Sequence, residues 1–122
     1  MTTWTSDELT AIGNADELQI ASLREDGQLS KPVTIWVVRD GDDLYVRSFR
    51  GAGAGWFRGT QLRHQGHVRA GGVDKDVTFV AETGPGVNDQ VDAAYRAKYS
   101  GSYVDPMVAA GVRATTLKLV PR

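Results

Sequence analysis

The sequence has no cysteine, two methionines and two histidines among its 122 residues. Without thiols there are no disulfides, no thiolate nucleophile and no zinc site built on sulfur. That absence points to a reducing, cytoplasmic location. His64 and His67 have no third ligand near them in sequence, so no metal site is expected. Long apolar runs are also missing. Ile35-Trp36-Val37-Val38 falls far short of the roughly 20 residues that span a bilayer, and residues 1–16 show no basic-then-apolar leader pattern. The expectation is a protein with no membrane partner. Fourteen basic and fifteen acidic side chains give a formal charge of −1, which offers nucleic acid no overall field. This length accommodates a single domain, residues 1–122.

The near-zero total conceals an uneven distribution. The first 26 residues hold six acids (Asp7, Glu8, Asp16, Glu17, Glu25, Asp26) and one base, Arg24. From Leu44 to Val73 the pattern reverses, with five arginines (Arg47, Arg50, Arg58, Arg63, Arg69), both histidines and no acid. Such a stretch recruits an anion, either a ligand or the acidic face of another segment. Arginine suits planar, bidentate recognition of phosphate or carboxylate.

Short strands and tight turns dominate the pattern. Ser6 followed by Asp7 and Glu8 reads as the N-cap of a short helix ending near Gly13-Asn14. Leu18 to Leu23, Leu29 to Arg39 and Leu44 to Phe49 read as three antiparallel strands, joined by turns at Glu25-Asp26-Gly27-Gln28 and Asp40-Gly41-Asp42. The middle strand is apolar on both faces from Val33 to Val38, so its second face needs a cover: barrel closure, a helix or another subunit. Gly51 to Gly55 is a glycine loop opening a short helix near Trp56, with Gly59 inside it. His67 to Ala70 and Asp76 to Glu82 form another strand pair. Asn88 is expected to cap a helix with Val91, Ala94, Tyr95 and Tyr99 on one face. Asp105, Pro106 and Gly111 frame a last short helix, before a closing strand with Thr115, Leu117 and Leu119. The expected fold is mainly β: a small barrel of about six antiparallel strands with short helices.

The most promising site is the run Leu44 to Arg50 entering the glycine loop. Loop N–H groups, a helix N-terminus, the Ser48 hydroxyl and the Arg47 and Arg50 guanidinia could converge there on one anion. The alternative is that Arg47 and Arg50 pair with the N-terminal acids. The glycine spacing is not G-x-G-x-x-G and no parallel βαβ unit surrounds it, which excludes a dinucleotide fingerprint. Trp36 and Trp56 lie near the charged run. An aromatic beside an anion site suits a planar ring with a phosphate tail, although Trp36 also suits packing and Trp4 suits a staple on the first helix. Tyr45, Tyr95 and Tyr99 are candidate proton donors, with core packing as their other role. Ser48 has no His–acid pair to activate it, which excludes a serine hydrolase. No catalytic residue is assigned.

Several segments together resemble a known family: Arg24-Glu25-Asp26-Gly27, Val33 to Val38, Asp40 to Ser48 and Gly55-Trp56-Phe57-Arg58. They are similar to the flavin and deazaflavin split β-barrels, the pyridoxamine-phosphate-oxidase-like superfamily. Nearly the whole chain, including Ala94 to Tyr99 and Thr116 to Arg122, resembles a small bacterial family of unknown function related to it. The resemblance implies a split β-barrel that forms a homodimer with ligand sites between subunits. It implies a cofactor, flavin mononucleotide (FMN) or an 8-hydroxy-5-deazaflavin coenzyme, with its phosphate near Arg47, Ser48, Arg50 and Trp56 and its ring along Pro32, Val33 and Thr34. The implied function is an oxidoreductase acting on a small conjugated molecule. The other classes are a non-catalytic binder of a cofactor or other anionic ligand, and a barrel that has lost cofactor binding. The basic pair that many flavin members carry after the third strand is replaced here by Phe49-Arg50 and glycines. The basic run from Arg47 to Arg69 would instead accept the longer acidic tail of a deazaflavin, or another anionic ligand.

Overall fold

The computed structural model describes residues 3–99 and 102–122, without the side chains at 102 and 103. One antiparallel sheet contains β1 (Leu18–Ser22), β2 (Val33–Ile35), β3 (Val38–Asp40), β4 (Asp43–Val46), β5 (Gln65–Ala70), β6 (Val73–Ala81) and β7 (Leu117–Pro121). The seven strands lie in the order β2-β1-β5-β6-β7-β4-β3. The two edge strands, β2 and β3, are consecutive in the chain and separated only by Trp36 and Val37. The sheet therefore curls until its edges come together at that two-residue passage, which makes it a split barrel.

This corrects the expectation of six strands with one long central member. The Leu29 to Arg39 segment is not continuous. Leu29 makes only an isolated bridge to Leu23, β2 pairs with β1 (Thr34 opposite Gln19), and β3 pairs with β4 (Val38 opposite Tyr45). One stretch of chain thus serves both ends of the sheet. At the β5–β6 turn, Gly71 and Gly72 take φ of 58° and 82°. That left-handed pair matches the right-handed strand twist and is strained for side-chain-bearing residues.

Side-chain alternation divides the apolar residues into two clusters. Leu18, Ile20, Val37, Leu44, Val46, Phe79, Leu117 and Leu119 pack within the curl of the sheet, with Ile12 from helix α1 (Ser6–Gly13) and Phe57 from α2 (Gly55–Arg63). Val38 and Tyr45, the neighbours of Val37 and Leu44, face the other way. They pack on Val91 and Tyr95 of α3 (Pro85–Lys98) and on Val112 of α4 (Ala110–Arg113). Of the three covers considered for the doubly apolar strand, barrel closure protects Val37 and helix α3 protects Val38. Trp36 stacks on Tyr99 with ring centroids 3.9 Å apart and planes within 2°.

The helix ends depart from the sequence expectations in detail. Thr5, not Ser6, caps α1: its hydroxyl accepts from the Glu8 N–H while the Glu8 carboxylate accepts from the Thr5 N–H. Trp4 precedes that cap, packs in the inner cluster and donates its indole N–H to the Leu119 carbonyl of β7 at 2.9 Å, which ties the chain before α1 to the sheet. Asn88 lies inside α3, which starts at Pro85 after a Gly84 cap. Pro106 falls within a 3-10 segment, Ser102–Val108, and Gly111 within α4, so Asp105 and Gly111 do not frame one helix. Gly59 does sit inside α2, where a Cβ would come within 2.3 Å of Ser22 Oγ on β1. Close approach of helix to strand requires glycine there.

Candidate ligand-binding groove

A groove of about 1020 Å³ opens between β2, the end of β4 and the loop into α2. Val33, Thr34, Arg47, Arg50 and Trp56 all line it, joined by Trp36, Phe49, Gly53, Gly55 and Met107. The folded chain thus brings together most of the residues singled out in the sequence. Pro32 is exposed just before β2 and does not line the groove. Strand β2 is three residues long and ends the sheet, so its outer backbone edge has no strand neighbour. Val33 and Phe49 are exposed for apolar side chains, at 38% and 61%.

Two of the residues expected to bind an anion are committed elsewhere. Arg47 is 1% exposed and turns its guanidinium inward. Its Nε donates to Thr116 Oγ1 (2.8 Å), Nη1 to Asp92 Oδ1 (2.5 Å) and the Met107 carbonyl (2.9 Å), and Nη2 to the Asn88 carbonyl (3.1 Å) and Oδ1 (3.0 Å). Those partners use all five N–H groups of the fork. The guanidinium also lies 5.5 Å from the centroid of the Tyr95 ring. The cluster continues outward, because Arg113 bonds Asp89 at 2.8 Å and its Nε lies 3.3 Å from Asp92. Ser48 is fully buried. Its hydroxyl donates to the Gly51 carbonyl (2.7 Å) and its N–H to Thr115 Oγ1 (2.8 Å), which braces the loop. Arg47 and Ser48 therefore hold up the groove from behind.

The acidic N-terminus does not neutralise the arginines at the mouth. Glu8 pairs with Lys75, which holds its carboxyl below the usual range, and Asp26 pairs with Arg24. Arg50 makes no hydrogen bond or ion pair with another described residue, and it is exposed at the groove rim. It lies next to Gly51, whose φ of 75° requires glycine. Gly53 and Gly55 have no such requirement, and a Cβ at either would meet nothing within 4 Å. The first turn of α2 has no side-chain cap, which leaves its N–H groups to solvent or a ligand.

Tyr45, Tyr95 and Tyr99 fall outside this groove. Burial pushes Tyr45 and Tyr99 up to about 12 and raises Tyr95 further, so all three keep their protons. The Tyr99 hydroxyl donates to the Asp16 carbonyl at 2.7 Å and accepts from the Val37 N–H at 3.3 Å. Burial lowers the pKa of neighbouring Lys98, whose ammonium donates to the Ala15 and Val37 carbonyls. These groups clamp α3 to the edge passage. His64 ends α2 in the left-handed region at φ 56°. His67 is held between Asp76 and Asp74 on the β5–β6 hairpin. Among the described residues, no Asp, Glu, His, Lys or Tyr lines the groove.

Sequence reasoning missed Met107, Phe49 and the Asn88–Asp92 acceptor pair. A signal for the last existed. Strand alternation puts Arg47 on the same face as Tyr45, and Asn88 and Asp92 are spaced i, i+4 on the helix that covers it.

A family model described as an uncharacterized protein conserved in bacteria (DUF2255) matches residues 8–119. No curated protein matches the sequence. Among solved structures, the chain is similar to the heme storage protein HutZ from Vibrio cholerae, with a TM-score of 0.68 and 15% identity over 100% of this chain and 92% of that one. A protein assigned as a pyridoxamine 5'-phosphate oxidase from Listeria innocua gives 0.65 and 13%, over 93% and 90% of the chains. An F420 reductase gives 0.58 and 16%, over 93% and 90%. At these identities the likeness shows the fold, the pyridoxamine-phosphate-oxidase-like split barrel.

Proposed function

The chain belongs to the DUF2255 family of uncharacterized bacterial proteins, and from that premise we propose that its groove holds a flavin or deazaflavin cofactor for an oxidoreductase acting on a small conjugated molecule. The observation that carries this reading is the groove's composition: an apolar, aromatic slot with Trp36 and Trp56, an unpaired strand edge, and Arg50 at the rim. The slot suits a planar ring, the backbone edge of Val33 and Thr34 suits the ring's polar side, and Arg50 with the loop N–H groups suits a phosphate. Gly53 and Gly55 fit the same role, since nothing within the chain requires them and a ligand approaching the backbone would. Similarity to an F420 reductase and to an oxidase-type split barrel supports the same cofactor class.

When bound, such a cofactor supplies the hydride chemistry, and the chain's residues place it. Arg47 and Ser48 contribute indirectly by fixing the Met107 and Gly51 carbonyls. The exposed Val33 and Phe49 mark the side on which a second copy would complete the groove, and the reading includes a homodimer in the reducing cytoplasm. Among the described residues no histidine lines the groove, and Met107 is the lining side chain that could ligate a heme iron.

A second reading has its own observation. Among the described residues the groove lining includes no Asp, Glu, His, Lys or Tyr to give or take a proton, which suits a binder that stores or carries the ligand without transforming it.

The test is titration of the purified chain with FMN and, separately, with an 8-hydroxy-5-deazaflavin coenzyme, following tryptophan fluorescence. Saturable quenching is expected for one of them, with a smaller amplitude in Trp56→Leu, where Trp36 remains in the slot, and about tenfold weaker affinity in Arg50→Ala. No saturable response to either removes the cofactor reading. Binding without turnover of any reducible acceptor favours the second reading.

A further inference from the structure

We propose that a second cavity, which shares the lining residue Thr34 with the groove, anchors the carboxylate end of a small organic monocarboxylate. As the substrate site it rests on the cofactor reading above; as a binding site it does not. The cavity, about 420 Å³, is lined by Glu17, Gln19, Thr34, Arg69 and the Gly71-Gly72 turn. Thr34 lines both cavities and so places the second one beside the groove.

The sheet register builds the site. Thr34 on β2 lies opposite Gln19 on β1, and Gln19 lies opposite Arg69 on β5. Directly opposed residues share a face of the sheet, so these three form a straight row about 10 Å long at the usual strand spacing. Ile20 and Val68, one position along, are buried, which directs the row outward. All three row residues are exposed, and none of their side chains makes a hydrogen bond or ion pair with another described residue. The next residue in the row, Asp74 opposite Arg69, would ordinarily neutralise it. Asp74 is instead bonded to His67 Nε2.

A hydroxyl, an amide and a guanidinium thus face one cavity as donors. Arginine offers a carboxylate two parallel N–H groups. Glu17 also lines the cavity, and its carboxylate adds repulsion with each negative charge a ligand brings, which favours a monocarboxylate over a dicarboxylate. At Gly72 a Cβ would meet nothing within 4 Å, and the cavity floor carries no side chain from the turn.

The test uses the full chain without cofactor and follows backbone amide shifts by ¹H–¹⁵N NMR. The probes are benzoate, its neutral analogue benzyl alcohol, and the dicarboxylate terephthalate. Saturable benzoate shifts are expected at Gln19, Thr34, Arg69 and Gly71, with weaker binding of terephthalate and none of the alcohol. Arg69→Ala should weaken benzoate about tenfold or more, Arg69→Lys less, and Arg50→Ala not at all. Glu17→Gln should bring terephthalate close to benzoate. Shifts confined to Arg50 and Gly53 to Trp56, equal binding of benzoate and benzyl alcohol, or an unaffected Arg69→Ala would each overturn the proposal. Because no cofactor is present, failure here leaves the groove reading intact. Failure of the flavin and deazaflavin titrations with benzoate binding preserved removes the substrate role and keeps the carboxylate site.

Discussion

Replacing Arg47 by methionine tests whether this arginine is a ligand-binding group or a buried structural one. Methionine keeps much of the side-chain volume and removes the charge and all five N–H groups. Five acceptors then lose their donor: Asp92, both Asn88 oxygens, the Met107 carbonyl and Thr116. Asp92 is 22% exposed in its side chain and keeps a weak contact to Arg113, so part of its cost is relieved. Removing one partner of a buried charged pair costs about 3–5 kcal/mol. A 122-residue domain has about 6–18 kcal/mol of stability to lose. At about 2.1 cal/mol/K per residue the unfolding entropy is about 0.26 kcal/mol/K, which converts the loss to a fall in Tm of about 12–19 °C. Near-UV circular dichroism on heating, with urea melts for the free energy, measures it. The double variant Arg47→Met/Asp92→Leu should recover part of the loss, since it also removes the unpaired carboxylate. A single variant that melts within about 1 kcal/mol of the parent yet loses ligand affinity would refute the structural assignment.

Other perturbations follow from particular contacts. Gly59→Ala should destabilise by about 1–3 kcal/mol despite alanine's higher helix propensity, because its Cβ meets Ser22 Oγ, and adding Ser22→Ala should restore part of the loss; additive urea-melt energies would sink the contact explanation. Burial disfavours charge on His67, but the Asp76 and Asp74 carboxylates outweigh it and raise its pKa. Its stabilising contribution is therefore fully present below the ordinary value of about 6.5 and fades as pH rises through the raised one. The Tm gap between parent and His67→Gln should be wider at about pH 5.5 than at about pH 8, and a gap that widens at alkaline pH reverses the assignment. Tyr99→Phe should cost about 1–2 kcal/mol in denaturant melts through lost hydrogen bonds to the Asp16 and Val37 backbone, with cofactor affinity unchanged.

What could be read from the sequence rests on short-range relations. Turn chemistry at Gly41, the helical spacing of Val91, Ala94 and Tyr95, and the doubly apolar Val37-Val38 depend on neighbours within four residues, and each appears in the fold. The acid-free stretch from Leu44 to Val73 was legible too, and it contains Arg50, which bonds no other described residue.

Contacts between residues far apart in the chain were decided only in three dimensions. Alternation assigns Arg47 to the outer face, but what covers that face comes from 41 and 45 residues away, and there Asn88 and Asp92 consume a charge that looks available in the sequence. The break at Trp36-Val37 has the same origin. A continuous β pattern runs through it, and only the curl of the sheet, which brings β1 and β4 near each other, requires one segment to leave the first and join the second. Local pattern set each residue's conformation and facing, while the partners met across the sheet and under α3 determined which polar groups were left to bind a ligand.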